Sequence, residues 1–515
     1  MAASISLKQS AVSALKWNYV GMAARSVSGL LIGVVLARLL GPKPFGQVAI
    51  AMLVISLGNL MADFGFSAAL VQKKEISDRD IRFGFSVQVL LGAALTVLCI
   101  VLAPFIASAF HQPEVAPVIR ALGAMFFLQA VGQTAMGLLK RDLAFKSLQT
   151  AQVVSYLFGY LALGVPLAYL GFGVWALVLA QLCQTALNTG MVYLSTRHAV
   201  LPLFRHDGSM VRFGSKVIGT NVVNWTIVSL DTAIASRFFS VFDLGLYSRA
   251  YVFAGVPFNA VSVLQNVLFS TYSRVQDRPE VLRRIYRGSV AIVGVAMFPL
   301  YAAIAITPAT VLTALYGPKW SGAAPLLTAF AVAMSFHAAM AIAGPLLWGI
   351  GRPGIEFRAQ AIAAVAAVVI FAAFSRISLT ALAWGVALTY ALRCILVTGA
   401  LLRVLHLSWV NLVGGLRGAG ALALATAACV WCTDAMLLRH GSGPFLRLAA
   451  DGTVGAAVDL GILLLAPSAV LGSDAAWLLN SLRGSLPHFI NQLLPRGDTA
   501  QEGRVVTGRF RETAS

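Results

Sequence analysis

Charge is scarce in this sequence, and negative charge scarcest. Of 515 residues only 11% are charged, 38 being Lys or Arg and 19 Asp or Glu. Soluble domains carry about 25% charged residues, so the composition excludes an ordinary soluble protein. Cysteine is scarce too. Cys99, Cys183, Cys394, Cys429 and Cys432 all fall in apolar segments. Cys429 and Cys432 have redox spacing, but no second pair or nearby histidine accompanies them, so they read as small, buried apolar residues.

Catalytic signatures are absent as well. There is no Walker A sequence, no HExxH and no Gly-x-Ser-x-Gly. Gly349-Ile350-Gly351-Arg352-Pro353-Gly354 spells GxGxxG, yet it follows an apolar span rather than a strand and has a proline in the turn, which argues against a dinucleotide site. Asp78-Arg79-Asp80 has the letters of a metal-dependent glycosyltransferase DxD. No soluble nucleotide-binding domain surrounds it, and it reads as a solvated charge cluster. The chain is not expected to be an enzyme or to hold a cofactor or metal. Any energy input must come from an ion gradient or a partner.

Apolar runs are abundant. Hydrophobic residues make up 59% of the chain and come in runs of about 20, enough to cross a hydrocarbon core of about 30 Å as helices. The expected fold is an all-α polytopic membrane protein in the bilayer, with about 14 transmembrane helices. They fall near 17–40, 45–66, 83–107, 115–139, 147–169, 172–196, 213–237, 245–269, 288–310, 323–349, 359–377, 380–402, 411–436 and 452–471. Arg417, Asp434 and Asp459 interrupt the last two. Residues 1–16 lack a compact apolar core with a cleavage site, so the first span is expected to act as an uncleaved start signal.

The formal charge of +19 lies almost wholly in short connections, as the positive-inside rule requires, and is no footprint of nucleic acid. Alternate connections hold most of it, including Lys73, Lys74, Arg79 and Arg82, then Lys140, Arg141 and Lys146, then Arg274 to Arg287. Both termini are therefore placed in the cytoplasm. After the last span, Leu478, Leu482, Leu486, Phe489 and Leu493 recur at helical spacing, interrupted by Pro487, as in an interfacial amphipathic helix. Beyond Pro495 the polar chain is expected to be disordered.

The chain also repeats itself. Arg38 to Gly46 and Arg237 to Gly245 have the same length and end alike, Phe66-Ser67 answers Phe269-Ser270, and Pro104 answers Pro308. The order and slowly growing offset indicate a duplicated unit of about 200 residues and six spans, inserted as parallel repeats. This predicts two six-helix lobes around a central cavity, at 1–210 and 211–405, then two extra transmembrane helices at 406–475 and a cytoplasmic tail at 476–515.

The first two helices of each repeat carry polar stripes. Asn18 and Arg25 share a face of the first span, and Thr220, Asn224 and Asp231 share one in its counterpart. Ser56, Asn59 and Asp63 in the second span match Asn259, Ser262 and Asn266. Neutral members of such stripes commonly hydrogen-bond helix to helix. A lone arginine in a span costs roughly 2.5–3.5 kcal/mol on insertion scales, so Arg25, Asp63 and Asp231 are candidates for a hydrated cavity, and Arg393 is another. Arg120 and Arg249 lie near helix ends, where lining the cavity and snorkelling to headgroups are both open. His337 is either a proton relay or a structural histidine.

Leu39-Leu40-Gly41-Pro42-x-x-Phe45-Gly46, Ala62-Asp63-Phe64-Gly65-Phe66-Ser67-Ala68-Ala69-Leu70-Val71-Gln72, and Leu244-Gly245-Leu246-Tyr247-Ser248-Arg249-Ala250-Tyr251 resemble the polysaccharide-transporter branch of the MOP exporter superfamily, the Wzx-type oligosaccharide flippases. Leu230-Asp231 with Ser236-Arg237-Phe238-Phe239 is similar to that branch's seventh span, with Ser240 where a glycine is common. The resemblance covers about residues 7–410. It implies a multi-pass bacterial inner-membrane transporter that turns a polyprenyl-pyrophosphate-linked oligosaccharide from the cytoplasmic to the periplasmic leaflet, for exopolysaccharide, capsule or O-antigen assembly, with polymerase and co-polymerase proteins as partners. Under that reading Arg25, Arg393, Asn224, Asn59 and Arg249 are substrate-binding candidates. Asp231 and Asp63 are candidates for a coupling proton or sodium ion. The alternatives are a drug/cation antiporter of the same superfamily, a membrane polymerase or ligase, and a scaffold of an export complex.

Overall fold

In a computed structural model of the chain, residues 2–63, 76–198 and 229–481 are described, with Val200, Leu203 and Trp225. Side chains are described from Trp17 onward, except those of residues 60–63, Val263, Asn266 and Ser270. Among the described residues there is no strand, and the elements are helices throughout.

The chain forms two compact units, residues 1–249 and 250–515. The first begins with α1 (Ala2–Leu40) and α2 (Pro42–Asp63). Gly41 parts them at φ 74°, a left-handed conformation that suits glycine, and Pro42 opens α2 where its missing N–H is no loss. Next come α3 (Asp78–Ala109), α4 (Ala116–Arg141), α5 (Phe145–Tyr169) and α6 (Val174–Thr196). Asp80 and Ser77 cap α3 reciprocally: the Asp80 N–H donates to Ser77 Oγ at 3.3 Å and the Ser77 N–H to Asp80 Oδ2 at 2.9 Å. Asp80 thus forms a capping box with Ser77; Asp78 and Arg79 are exposed, and Asp80 is buried rather than solvated. In this unit α3 packs on α4, α4 on α2 and α6, and α1 on α5. Helical residues 229–238, here α7, and the first part of α8 (Val241–Gly255) complete it.

The second unit continues through α9 (Phe258–Arg274), α10 (Pro279–Ile306), α11 (Pro308–Leu315), α12 (Ala324–Met340) and α13 (Ala343–Gly349). It ends with α14 (Pro353–Phe374), α15 (Leu379–Leu405), α16 (Trp409–Arg439), α17 (Pro444–Leu465) and α18 (Pro467–Ser481). Here α12 packs on α15, α14 on α15, α10 on α12 and α16, and α16 on α17.

Eleven helices among the described residues are long and apolar enough to span a membrane, and a twelfth if α8 and α9, bent by 45°, form one span. The chain is a multi-pass α-helical membrane protein. The expected number of 14 exceeds this; the expected spans 45–66 and 213–237 run into residues outside the described set. The first compact unit ends after Arg249, inside α8. The last expected span, 452–471, begins eight residues earlier, at Pro444.

Two other expectations change. Cys429 and Cys432 are exposed on α16, not buried, since that face meets no other described element, and all five cysteines are free. Immediately after α17, α18 docks on α10 with Val470, Leu471, Ala475 and Trp477 buried. Asp474 of α18 pairs with Arg287 at 2.9 Å, and Arg284 lies over the Trp477 ring at 4.4 Å.

Candidate functional site

The repeat landmarks meet in the first unit. The Gly46 backbone lies against the Val241 carbonyl, and the Gly245 backbone against the Pro42 carbonyl. Neither position has room for a Cβ, which is why glycine stands at both. Polar contacts close the same end: Lys43 pairs with Glu114 at 2.7 Å, Arg237 meets His111 Nε2 at 2.8 Å, and Gln112 donates to the Phe239 carbonyl at 3.4 Å.

From this closed end α1 carries a polar and glycine-rich face down the unit. Asn18, Gly21, Arg25, Gly29 and Gly33 recur at helical spacing on it. Gln149 of α5 fits against Gly21 and donates to Asn18 Oδ1 at 2.7 Å. One turn beyond Arg25, Tyr156 of α5 faces Gly29, its hydroxyl 3.6 Å from where a Cβ there would stand. Arg25 therefore lies on the face between Gln149 and Tyr156. Its Nε is buried with no hydrogen-bond partner among the described residues, and so is Gln152 Oε1, one turn after Gln149 on α5.

Arg249 joins this face and does not snorkel outward. Its guanidinium lies over the Phe45 ring at 3.8 Å, and Nη1 is 3.6 Å from where a Cβ on Gly33 would stand. Its charge is within electrostatic reach of the Tyr156 and Tyr160 hydroxyls. Those two rings lie 4.9 Å apart, and Tyr160 donates to Gln181 of α6 at 2.6 Å. Tyr160 sits in a π-helical stretch of α5, Leu157–Gly164, where Gly159 brings the backbone onto that of Ala180; such stretches recur at functional sites. The unit thus holds two arginines beside tyrosine hydroxyls and glutamine amides, a set of charged and neutral hydrogen-bonding groups. Arg120, by contrast, is exposed.

The remaining candidates separate. Asp231 is 5% exposed and accepts from the Tyr247 hydroxyl at 2.9 Å and from Thr232 at 3.4 Å. No arginine or lysine pairs with it among the described residues. Asn59 is half-buried with Oδ1 unpartnered, while its neighbour Ser56 accepts from Trp225 Nε1 at 2.8 Å. Asn224 and Thr220, and the side chains of Asp63 and Asn266, lie outside what is described.

A second polar cluster lies in the second unit. Arg393 of α15 donates to Gln360 Oε1 at 2.9 Å and stands over the Tyr390 ring at 5.1 Å. Its charge reaches His337 and Glu356. His337 stacks on Phe258 at 3.9 Å with Nδ1 buried and unpartnered. Tyr251 and Tyr390 share a hydrogen bond of 3.1 Å. Glu356 fits against Gly344, and its Oε2 has no partner. No group of three or more His, Cys, Asp or Glu among the described residues is arranged to hold a metal.

Comparison with known proteins places the chain in a family. A model described as "Polysaccharide biosynthesis protein" matches residues 35–325, more than half of the chain. The chain belongs to that family. Gly46, Asp231, Gly245 and Arg249 fall within the matched residues; Arg25 and Arg393 fall outside them. Among curated relatives, the family member described here is 25% identical over 359 residues to the lipopolysaccharide biosynthesis protein WzxC of Escherichia coli, covering 69% of this chain and 73% of that one. It is 27% identical over 336 residues to the succinoglycan biosynthesis transport protein ExoT of Rhizobium meliloti, covering 64% and 68%. In fold it is similar to the lipid II flippase MurJ in an inward closed conformation, with a TM-score of 0.71 at 13% identity over 87% of this chain and 97% of that one. A multidrug resistance MATE transporter of the MOP superfamily gives a TM-score of 0.55 at 16% identity, over 77% and 95%.

Sequence reasoning missed several residues of these clusters. Gln149, Gln152, Tyr156 and Tyr160 recur at i, i+3, i+7 and i+11, a stripe as regular as those read on the first two spans. Glu356 was assigned to a connection because the span was expected to begin at 359, whereas α14 begins at Pro353.

Proposed function

We propose that this chain is a flippase that carries a polyprenyl-pyrophosphate-linked oligosaccharide from the cytoplasmic to the periplasmic leaflet of a bacterial inner membrane. The observation that carries the reading is the face shared by α1, α5 and α8. There Arg25, with a buried and unpartnered Nε, lies on the same helix face as the glycine next to Arg249, lined by tyrosine and glutamine. A pyrophosphate is an anion that such arginines bind through charge-assisted hydrogen bonds, and sugars suit the amides and hydroxyls beside them. The polyprenyl tail needs no polar site and stays in lipid. The names of the curated relatives, a lipopolysaccharide biosynthesis protein and a succinoglycan transport protein, support the same class of cargo.

In this reading the substrate site opens to each side of the membrane in turn, and both termini are cytoplasmic by the distribution of Lys and Arg. The closed end at Gly46 and Gly245 is then periplasmic. Arg393 with Gln360 and Tyr390 is a second cationic cluster, within the second unit. Asp231, held by two hydroxyls without a cation, takes a coupling proton or sodium ion, with Asp63 as a second carboxylate. The translocated unit passes to polymerase and co-polymerase partners. Half-buried arginines at two polar clusters disfavour a carrier of cationic drugs.

The test is the leaflet in which the lipid-linked repeat unit resides after the protein is depleted. Accumulation on the cytoplasmic side supports flipping, and accumulation on the periplasmic side assigns a later step. In the same assay Arg25→Ala is expected to retain the unit inside while the protein stays in the membrane. Wild-type polymer output from that variant removes Arg25 from the mechanism.

A further inference from the structure

The last two membrane helices carry a charged cluster that the flipping reading does not use. Arg447 of α17 holds Asp434 of α16 in a bidentate pair, Nε to Oδ1 at 2.9 Å and Nη2 to Oδ2 at 2.7 Å. Thr310 of α11 ties it to a third helix, donating to Asp434 at 2.7 Å and accepting from Arg447 at 2.6 Å. One cation and one anion would close this account. A second carboxylate, Asp451, is also present, 5% exposed, with no donor to either oxygen. It faces Asp434 within hydrogen-bonding range.

Two carboxylates in contact are both acceptors, and side by side away from water they do not both stay ionised. A donor between them exists only if one carries a proton. Arg447 is spent on Asp434 in two bonds, and its charge offsets one of the two negative charges. The other elements packed on α17 bring no further cation: α11 contributes Thr310, while α10 and α18 supply no charged group that interacts with Asp451 among the described residues. The remaining acid of α17, Asp459, lies about 12 Å further along the helix, where Thr426 of α16 donates to it.

We propose that Asp451 and Asp434 form a proton-binding site, in which a proton taken from water sits on Asp451 and is donated to Asp434. When it is present the site is neutral overall and α17 is latched to α16 and α11. When it leaves, two anions face each other beside one arginine and the latch loosens. Asp434 lies one turn from the end of α16, and Asp451 two turns inside α17, so the site is reached from the end of the hairpin. The charge distribution puts that end on the periplasmic side, where a proton gradient delivers protons.

The test uses the purified full-length protein in lipid nanodiscs, without substrate, and is therefore independent of the flipping reading. Infrared difference spectra recorded across a pH series are expected to contain a deuterium-sensitive carbonyl band of a protonated carboxyl, which fades as pH rises. The band is expected to vanish in Asp451→Asn and to persist in Asp459→Asn. Thermal unfolding supplies a second readout: the wild-type midpoint falls as pH rises and the shared proton is lost, while the isosteric Asp451→Asn midpoint stays nearly level. A band absent at every pH, a band unchanged in Asp451→Asn, or a response to sodium instead of protons overturns the proposal.

Discussion

Gly46 and Gly245 hold equivalent places in the two sequence repeats, and each lies against the residue that precedes the other by four: Gly46 on Val241, Gly245 on Pro42. The contact is reciprocal, as a local two-fold axis between duplicated segments requires. It places the turn after the first helix of each repeat against its counterpart, with backbone touching backbone.

A side chain at either glycine must force these helices apart. Gly46→Val and Gly245→Val are each expected to destabilise the protein by about 1–3 kcal/mol, the usual cost of overpacking, seen as a lower unfolding temperature in detergent. Because both act on one interface, the double variant is expected to lose less than the two single losses added. Full additivity would place the glycines in separate contacts.

Arg249→Ala is expected to abolish polymer export in a complementation assay while membrane levels stay near normal. Arg249→Lys keeps the charge over the Phe45 ring but loses the planar fork, so partial export is expected. If Arg249→Ala exports as the wild type does, the residue serves packing alone.

Tyr247→Phe removes the hydroxyl that donates to buried Asp231. A loss of roughly 1–3 kcal/mol is expected from leaving that acceptor short of a donor, measured by thermal unfolding. Asp231→Asn retains a polar group of the same shape and is expected to slow flipping more than it lowers stability. The opposite ranking would make Asp231 a structural residue.

In the second unit, Arg393→Gln and Glu356→Gln are expected to lower flipping in proteoliposomes individually. Since the Arg393 charge reaches Glu356, the double variant should fall well short of the combined effect of the two. Independent effects would separate the two residues.

Arg447→Ala leaves half-buried Asp434 and buried Asp451 without their cation. Breaking such a pair costs about 3–5 kcal/mol, so the variant is expected to show faster proteolysis at the α16–α17 connection. Adding Asp434→Ala should restore part of that resistance.

The sequence made much of this architecture legible, for identifiable reasons. Apolar runs and short turns placed most helices, because length and hydropathy alone decide what crosses a bilayer. The glycine landmarks were readable through spacing, and they meet. Arg25 was readable through its cost in an apolar run, and its Nε is buried on a polar face. Arg249 was ambiguous, since a helix-end arginine extends either way and only the Phe45 ring and Gly33 decide. Asp451 escaped notice for a different reason. The last span was expected to begin at 452, which left Asp451 in a loop, whereas Pro444 starts the helix and carries Asp451 two turns into it. Charge close to a helix end blurs the hydropathy edge by which ends are found.

The α16–α17 pair has a consequence for how the chain is made. Asp434 faces Asp451, Val430 faces Gly455, and Thr426 faces Asp459, so both helices match in one antiparallel register. Alone, α17 would bring Arg447, Asp451 and Asp459 into the bilayer, at roughly 2.5–3.5 kcal/mol for each one near its middle. Folded back on α16, Arg447 meets Asp434 and Asp459 meets Thr426. The two helices are therefore best inserted as a closed hairpin, and a ribosome that has made only the first holds half of a membrane-compatible unit.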